Sequence, residues 1–337
     1  MSATTTTHMR IVRARAAGGP EVLAVERAAA PVCGPQDVLV AVRLAGVNFA
    51  DVNTRRGTYG GAPGPRGLGR DVLGEVVEVG ECVRRLRPGQ RVAGFSTGPA
   101  YAELAVAHET LVWAVPGGVA DEQAAAFPTV GQAAYHLLVT ASRIREGESV
   151  LVTAAAGGVG SLVVPLARLL GAGRVVAAAG TTERAGLAGA DEALSYDDLG
   201  SWDDRGRAAA VDVALDGVGG DARRAALGAI APGGRLVHFG NSSGDPEELP
   251  APRAQRERGL GVVGFHLEFL RRHGRAALAT SADLLLGWLG TGDLTIPVHD
   301  VLPLERAGDA HRLLESRTVR GKLLLSVGPV PEVHRGA

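Results

Sequence analysis

The sequence predicts an α/β chain of two domains, one β-rich and one built on a doubly wound parallel sheet. Three observations predict it. A strand–turn–helix unit with a turn of small residues occupies 149–171, near the middle of the chain. The residues before it read as short strands broken by glycine and proline, and those after it alternate strand with helix. The length, 337 residues, suits two domains.

Taken in order, residues 38–44, 74–79, 91–93, 101–106 and 111–114 carry the apolar runs of short strands, and Pro88-Gly89 marks a turn into one of them. They imply a compact, mostly antiparallel domain. Residues 122–138 read as a helix despite Pro128 and lead into the second domain. There the run 150–153 feeds Ala155-Ala156-Gly157-Gly158-Val159-Gly160. Val159, Leu162, Val163, Leu166 and Leu170 then recur at helical spacing until Gly171 stops them. Pro165, inside that helix, removes the hydrogen bond to Ser161 and predicts a kink. Strands follow at 174–179, 211–215, 235–239 and 261–265, and their alternation with helices implies a parallel sheet. The polar, proline-containing segment 240–259 reads as a mobile loop over the cofactor site, and 323–327 as a last strand. Residues 1–8 are left out of the fold.

Composition narrows the function. Hydrophobic residues at 46% and charged residues at 21% suit a large core, and a net charge of −1 excludes the basic surface that a nucleic acid needs. No apolar run reaches the length of a membrane span, and the first residues lack the apolar stretch of a secretory signal. Cys33 and Cys82 show no metal-ligand spacing, which fits a reducing, cytoplasmic setting.

The turn is the A-x-G-x-x-G form of the dinucleotide fingerprint of Rossmann domains. Its small residues let the backbone approach a pyrophosphate, whose charge is met by N–H groups at the helix N-terminus. Ala156, Gly157, Gly158, Val159 and Gly160 are therefore expected cofactor contacts. An NAD site places a carboxylate about 20 residues further on. Here that position reads Gly180-Thr181-Thr182-Glu183-Arg184, two hydroxyls and a guanidinium suited to a phosphate. Gly240 and Asn241 end a strand at the edge of the sheet where ligands bind, and join the expected contacts.

Several separated motifs agree. They are Ala45-Gly46-Val47-Asn48-Phe49-Ala50-Asp51 with Gly57-Thr58-Tyr59, GRDVLGEVVEVGE at 69–81, Pro88-Gly89-Gln90-Arg91-Val92, Tyr101-Ala102-Glu103, and residues 123–135. The fingerprint, LDGVGG at 215–220, GGRLVHFG at 233–240 and Gly321-Lys322 complete the set. From about residue 10 to 327 the chain resembles the zinc-independent quinone oxidoreductases of the medium-chain dehydrogenase/reductase superfamily, the zeta-crystallin-like group. The resemblance implies a GroES-like catalytic domain over 9–126, completed by 266–337, and a Rossmann NADPH-binding domain over 127–265. It implies an active site in the cleft between them and a homodimer. It adds Tyr196, Phe265 and Lys322 to the cofactor contacts and, with Arg184, favours NADPH. The segment after Arg184 is about one helical turn shorter than the family pattern.

Zinc-dependent relatives carry a cysteine where this chain has Asn48, and a His-Glu pair where it has Arg70-Asp71, so no metal is expected. A quinone acceptor needs little acid catalysis. An activated alkene needs a donor for its carbonyl oxygen and a proton for carbon. Tyr59 and Asn48 are the candidate donors, Asp51 is expected to buttress the loop, and Arg70 to meet an anionic substrate. His136 and His238 are expected to be structural, and His266 to matter through its main chain. Three readings follow: NADPH-dependent quinone reduction, enoyl or enone reduction in a biosynthetic pathway, and an NADPH-binding sensor without turnover.

Overall fold

The computed structural model describes residues 8–59, 66–201, 210–246 and 248–328. The chain divides into two compact units, 1–129 with 270–337, and 130–269.

The first unit begins with β1 (His8–Ala14) and β2 (Leu23–Ala29), then β3 (Asp37–Val47), α1 (Phe49–Arg56), β4 (Arg66–Gly67), β5 (Asp71–Val79), β6 (Arg91–Phe95), β7 (Leu104–His108) and β8 (Val112–Ala114). Helix α2 (Asp121–His136) starts in this unit and ends in the second. The second unit runs β9 (Ser149–Val152), α3 (Gly160–Leu169), β10 (Arg174–Ala179), α4 (Thr182–Gly186), β11 (Glu192–Ser195), α5 (Tyr196–Gly200), β12 (Val211–Asp216), α6 (Gly220–Gly228), β13 (Ile230–His238), α7 (Pro252–Arg258) and β14 (Gly261–Gly264). Helix α8 (Leu267–His273) leads back to the first unit, completed by α9 (Arg275–Thr291), β15 (Val298–Pro303), α10 (Ala307–Glu315) and β16 (Lys322–Ser326).

Among the described residues the first unit holds a small sheet, β2-β1-β4, and a larger one ordered β15-β16-β3-β5-β6-β8 with β7 also on β3. Pairing is antiparallel throughout, except between β15 and β16. Strand β3 is the spine. Its first half pairs with β7 (Asp37 opposite His108) and its second half with β16 (Val47 opposite Leu323), while β5 takes the other edge. Val38, Val40, Val42, Val72, Val76 and Leu325 pack beneath it with no exposure; burying each such side chain is worth about 1.5–3 kcal/mol.

The second unit is a parallel sheet ordered β11-β10-β9-β12-β13-β14. The order reverses between β9 and β12, the switch point at whose carboxyl side such sheets bind ligands. Val150, Leu151, Val176, Val213 and Leu236 are fully buried in it, as are Leu162, Val163 and Leu166 of α3.

The expected α/β architecture is thus present, with corrections. Residues 1–8 were set aside, yet His8 opens β1 opposite Ala29. Segment 240–259, read as a loop, contains α7, with Pro252 at its start and Gly259 in the left-handed conformation at its end. Pro165 stands inside α3, which continues to Leu169.

Candidate functional site

In the second unit the fingerprint turn leaves β9 at its carboxyl end. Ala154 has φ of +50°, a left-handed conformation unfavourable for alanine. It is held there from both sides, because Ala154 N–H donates to the Tyr196 hydroxyl at 3.2 Å and Ala155 N–H to Ala178 O at 3.0 Å. A side chain at Gly160 would lie 2.3 Å from Ala154 O, so glycine is required for α3 to start this close to the strand. Ala156, Gly157, Gly158 and Val159 are the residues between. Tyr196, half-buried at the start of α5, is tied to the turn by its hydroxyl.

At the end of β10, exposed Thr181 caps α4 by accepting the Arg184 N–H at 3.2 Å. The Thr182 hydroxyl donates to Asp198 Oδ2 at 2.9 Å and accepts the Ser195 N–H at 3.1 Å. Arg184 is half-buried on α4, which has only five residues, and Gly180 before it faces open space. The threonines and the arginine therefore share one corner at the ends of β10 and β11.

The ends of β12 and β13 are organised by Asp216 of the LDGVGG run and by Arg223, which has no place in any of the motifs. Asp216, with no exposure, accepts from Thr153 Oγ1 (2.8 Å), Arg223 Nε (2.8 Å), and the N–H groups of Val218 and Gly219 (both 3.1 Å). Arg223 also donates to Gly240 O at 2.9 Å. Asn241 is occupied locally: its amide donates to Asp245 O and accepts from the Ser243 hydroxyl. Phe265, half-buried beyond β14, bonds through its N–H to His238 O. His136 is buried against Thr140 at 2.7 Å, and burial pulls it down to about 4, a neutral side chain.

In the first unit Asn48 and Tyr59 flank α1, Asn48 as its N-cap and Tyr59 just beyond its left-handed cap Gly57. Roughly 12 Å of helix separates them, so the structure does not put the two candidate donors side by side. Asn48 is 8% exposed and its amide donates to Asp71 Oδ2 at 3.0 Å. Asp51 buttresses it, accepting the Asn48 N–H at 2.9 Å and the Tyr101 hydroxyl at 3.2 Å; burial raises Asp51 to about 6. Tyr101 meets His311 Nε2 at 3.3 Å, and His311 Nδ1 meets Arg55 Nη1 at 3.4 Å. A guanidinium has no acceptor, so Nδ1 accepts and the proton sits on Nε2. Glu315 closes the chain on Arg55.

Lys322 was expected at the cofactor. Its ammonium is buried in this cluster, on Asn48 Oδ1 and, at 2.8 Å, on Asp71 Oδ2. Thr129 Oγ1 donates to the other Asp71 oxygen at 2.5 Å. The sequence held no signal for this grouping beyond the motifs themselves. Arg70 is half-buried beside the cluster in sequence, and its carbonyl accepts from the Ser96 N–H at 2.8 Å.

A GroES-like first unit with a dinucleotide-type second unit defines a medium-chain dehydrogenase/reductase. The family model for an alcohol dehydrogenase GroES-like domain matches residues 34–126, and that for a zinc-binding dehydrogenase matches 188–325. A quinone oxidoreductase of Pseudomonas aeruginosa is 35% identical over 91% of this chain and 96% of its own. The solved structure of Escherichia coli quinone oxidoreductase complexed with NADPH is 29% identical over 94% of this chain and all of its own, with a TM-score of 0.87. A spectinabilin polyketide synthase protein of Streptomyces orinoci is 40% identical over 90% of this chain, though over 14% of its own length. The chain belongs to the quinone oxidoreductase family of the medium-chain dehydrogenases/reductases.

The zinc in one family description does not fit the donors present. Zinc takes three or four thiolate, imidazole or carboxylate ligands. Asn48 offers an amide, Arg70 is itself a cation, and Asp71 is bound to Lys322. Cys33 donates to Asp37 O at 3.2 Å, with its thiol pushed up to about 11 by burial. Among the described residues no group of three or more His, Cys, Asp or Glu is placed to hold a metal.

Proposed function

We propose that this chain is an NADPH-dependent oxidoreductase that reduces a quinone without zinc. The observation that carries the reading is the turn at 154–160, strained at Ala154 and closed so tightly that Gly160 has no room for a side chain. A backbone brought that close to a helix N-terminus suits a pyrophosphate. The quinone oxidoreductase relatives and the NADPH complex among the structural neighbours support it.

When bound, the reduced nicotinamide supplies a hydride. The chain's residues bind and orient. Ala156, Gly157, Gly158, Val159 and Gly160 take the pyrophosphate; Thr181, Thr182 and Arg184 take the ribose phosphate that distinguishes NADPH; Tyr196 steadies the turn by accepting from Ala154. Gly240, Asn241 and Phe265 line the same edge of the sheet. Asn48 and Tyr59, at opposite ends of α1, are the two alternative donors to acceptor oxygen as negative charge develops on it. A small-molecule acceptor and a cytoplasmic homodimer complete the reading, the latter checked by light scattering. No helix among the described residues is long and apolar enough to cross a membrane.

Reduction of an activated alkene is the second reading. It is favoured by the 40% identity to a polyketide synthase segment and by the presence of two candidate donors. The test is NADPH oxidation by purified protein against quinones and against α,β-unsaturated ketones and thioesters, with NADH as control. Fast quinone turnover supports the first reading and enone-selective turnover the second. Nucleotide binding without oxidation makes the chain an NADPH-binding sensor.

A further inference from the structure

Lys322 is 2% exposed, and its ammonium rests on the side chains of two residues distant in sequence, Asn48 and Asp71. We propose that Lys322 is a positioning residue: its ammonium is the resident cation of this corner and fixes the direction of the Asn48 amide. The proposal rests on the oxidoreductase reading above for the role of Asn48.

The amide can face only one way. Its oxygen meets an ammonium and its nitrogen a carboxylate, so a flip would set two donors and two acceptors against each other. Both Asp71 oxygens are engaged, one by Lys322 and Asn48, the other by Thr129. The space is built for the pair. Gly46, opposite Asp71 in the sheet, could not carry a side chain, since a Cβ there would lie 2.8 Å from Asp71 Oδ2 and 2.9 Å from Lys322 Cε. The strand order does the rest: β16 pairs with the end of β3, which brings the first residue of β16 to the N-cap of α1. Removing the ammonium would leave a buried carboxylate uncompensated, which is strongly unfavourable. The acceptors that a divalent metal would need are already occupied by a monovalent cation of the chain itself.

The test is Lys322→Ala, with ethylammonium chloride as a replacement cation and tetramethylammonium chloride at equal ionic strength as control. We expect the variant to lose kcat by about 10–100-fold, the size of a lost hydrogen bond to a charged group, with KM for NADPH little changed. Ethylammonium should raise its Tm and return part of kcat, whereas tetramethylammonium should do neither. If Lys322→Ala does not fold, Lys322→Met fills the same volume without charge, and its kcat loss should vanish in an Asn48→Ala background. A Lys322→Met enzyme with wild-type kcat and pH profile overturns the proposal. So does a folded alanine variant deaf to ethylammonium, or a variant whose only change is a raised KM for NADPH. The Tm response is read without cofactor or acceptor, so it stands even if wild-type protein oxidises no NADPH and the functional reading fails.

Discussion

Thr153 Oγ1 donates to Asp216 Oδ1 at 2.8 Å, joining the carboxyl ends of β9 and β12 by a buried side-chain bond. Asp216 also takes Arg223 and two backbone N–H groups, so one carboxylate shapes the loop of LDGVGG. Breaking a buried ion pair from one side costs about 3–5 kcal/mol. Arg223→Met should lower stability by that order and Thr153→Val by about 1–3 kcal/mol, both read from urea unfolding. Wild-type stability in Arg223→Met would show that the pair does not hold this edge.

Glycine is needed unequally along the fingerprint. A Cβ at Gly160 meets a carbonyl oxygen at 2.3 Å, and one at Gly157 meets the same oxygen at 3.2 Å. Gly160→Ala should weaken NADPH binding more than tenfold and Gly157→Ala less, measured by nucleotide fluorescence titration. The reverse order would refute the geometry given to the turn.

Arg184 carries the cofactor preference in this reading. A hydrogen bond to a charged group is worth about 1.5–3 kcal/mol. Arg184→Ala should therefore lower kcat/KM for NADPH about 10–100-fold and leave that for NADH unchanged. An equal loss with both nucleotides would return Arg184 to a structural role on its short helix.

Acid should destabilise the fold. Burial lowers His136 to about 4 and, with the Arg55 cation beside it, His311 to about 3. The unfolded chain takes up these protons first, so each histidine removes stability as pH falls below 6.5, by up to about 1.4 kcal/mol per pH unit. Asp51, raised to about 6, acts oppositely: its contribution falls as pH rises from about 4 to 6. Two groups outweigh one. The urea midpoint should drop between pH 7 and pH 5, and His311→Gln should flatten the drop. An unchanged slope in that variant would show that His311 is not the buried neutral ring described.

Metal removal should be silent. Dialysis against phenanthroline should leave NADPH oxidation unaltered, and plasma mass spectrometry should find no stoichiometric zinc. Activity lost on dialysis and restored by zinc would reverse this.

Local patterns announced much of this molecule. The mostly apolar strands β3 and β10 and the small-residue turn before α3 are each contained within a dozen or so neighbouring residues. Strands β1, β2 and β15 were less visible because they mix charged residues with apolar ones, as in Leu23–Ala29 with Glu26 and Arg27. The polar core was hardly legible. Asn48 and Tyr101 were recognisable as motif members, but nothing near His311 or Lys322 in sequence announces Arg55 or Asp71 as a partner. Those pairings are created by strand register, above all by β16 beside β3.

That register also sets an order of events during synthesis. Residues Leu44 to Val47 of β3 wait for partners in Leu323–Ser326, which are made some 276 residues later. At about 5–20 residues per second the wait is on the order of half a minute. The parallel sheet of the second unit can assemble meanwhile, while half of the spine of the first keeps an open edge. A ribosome stalled before Lys322 therefore releases a chain with one finished unit and one unclosed sheet, whose open edge invites aggregation and proteolysis.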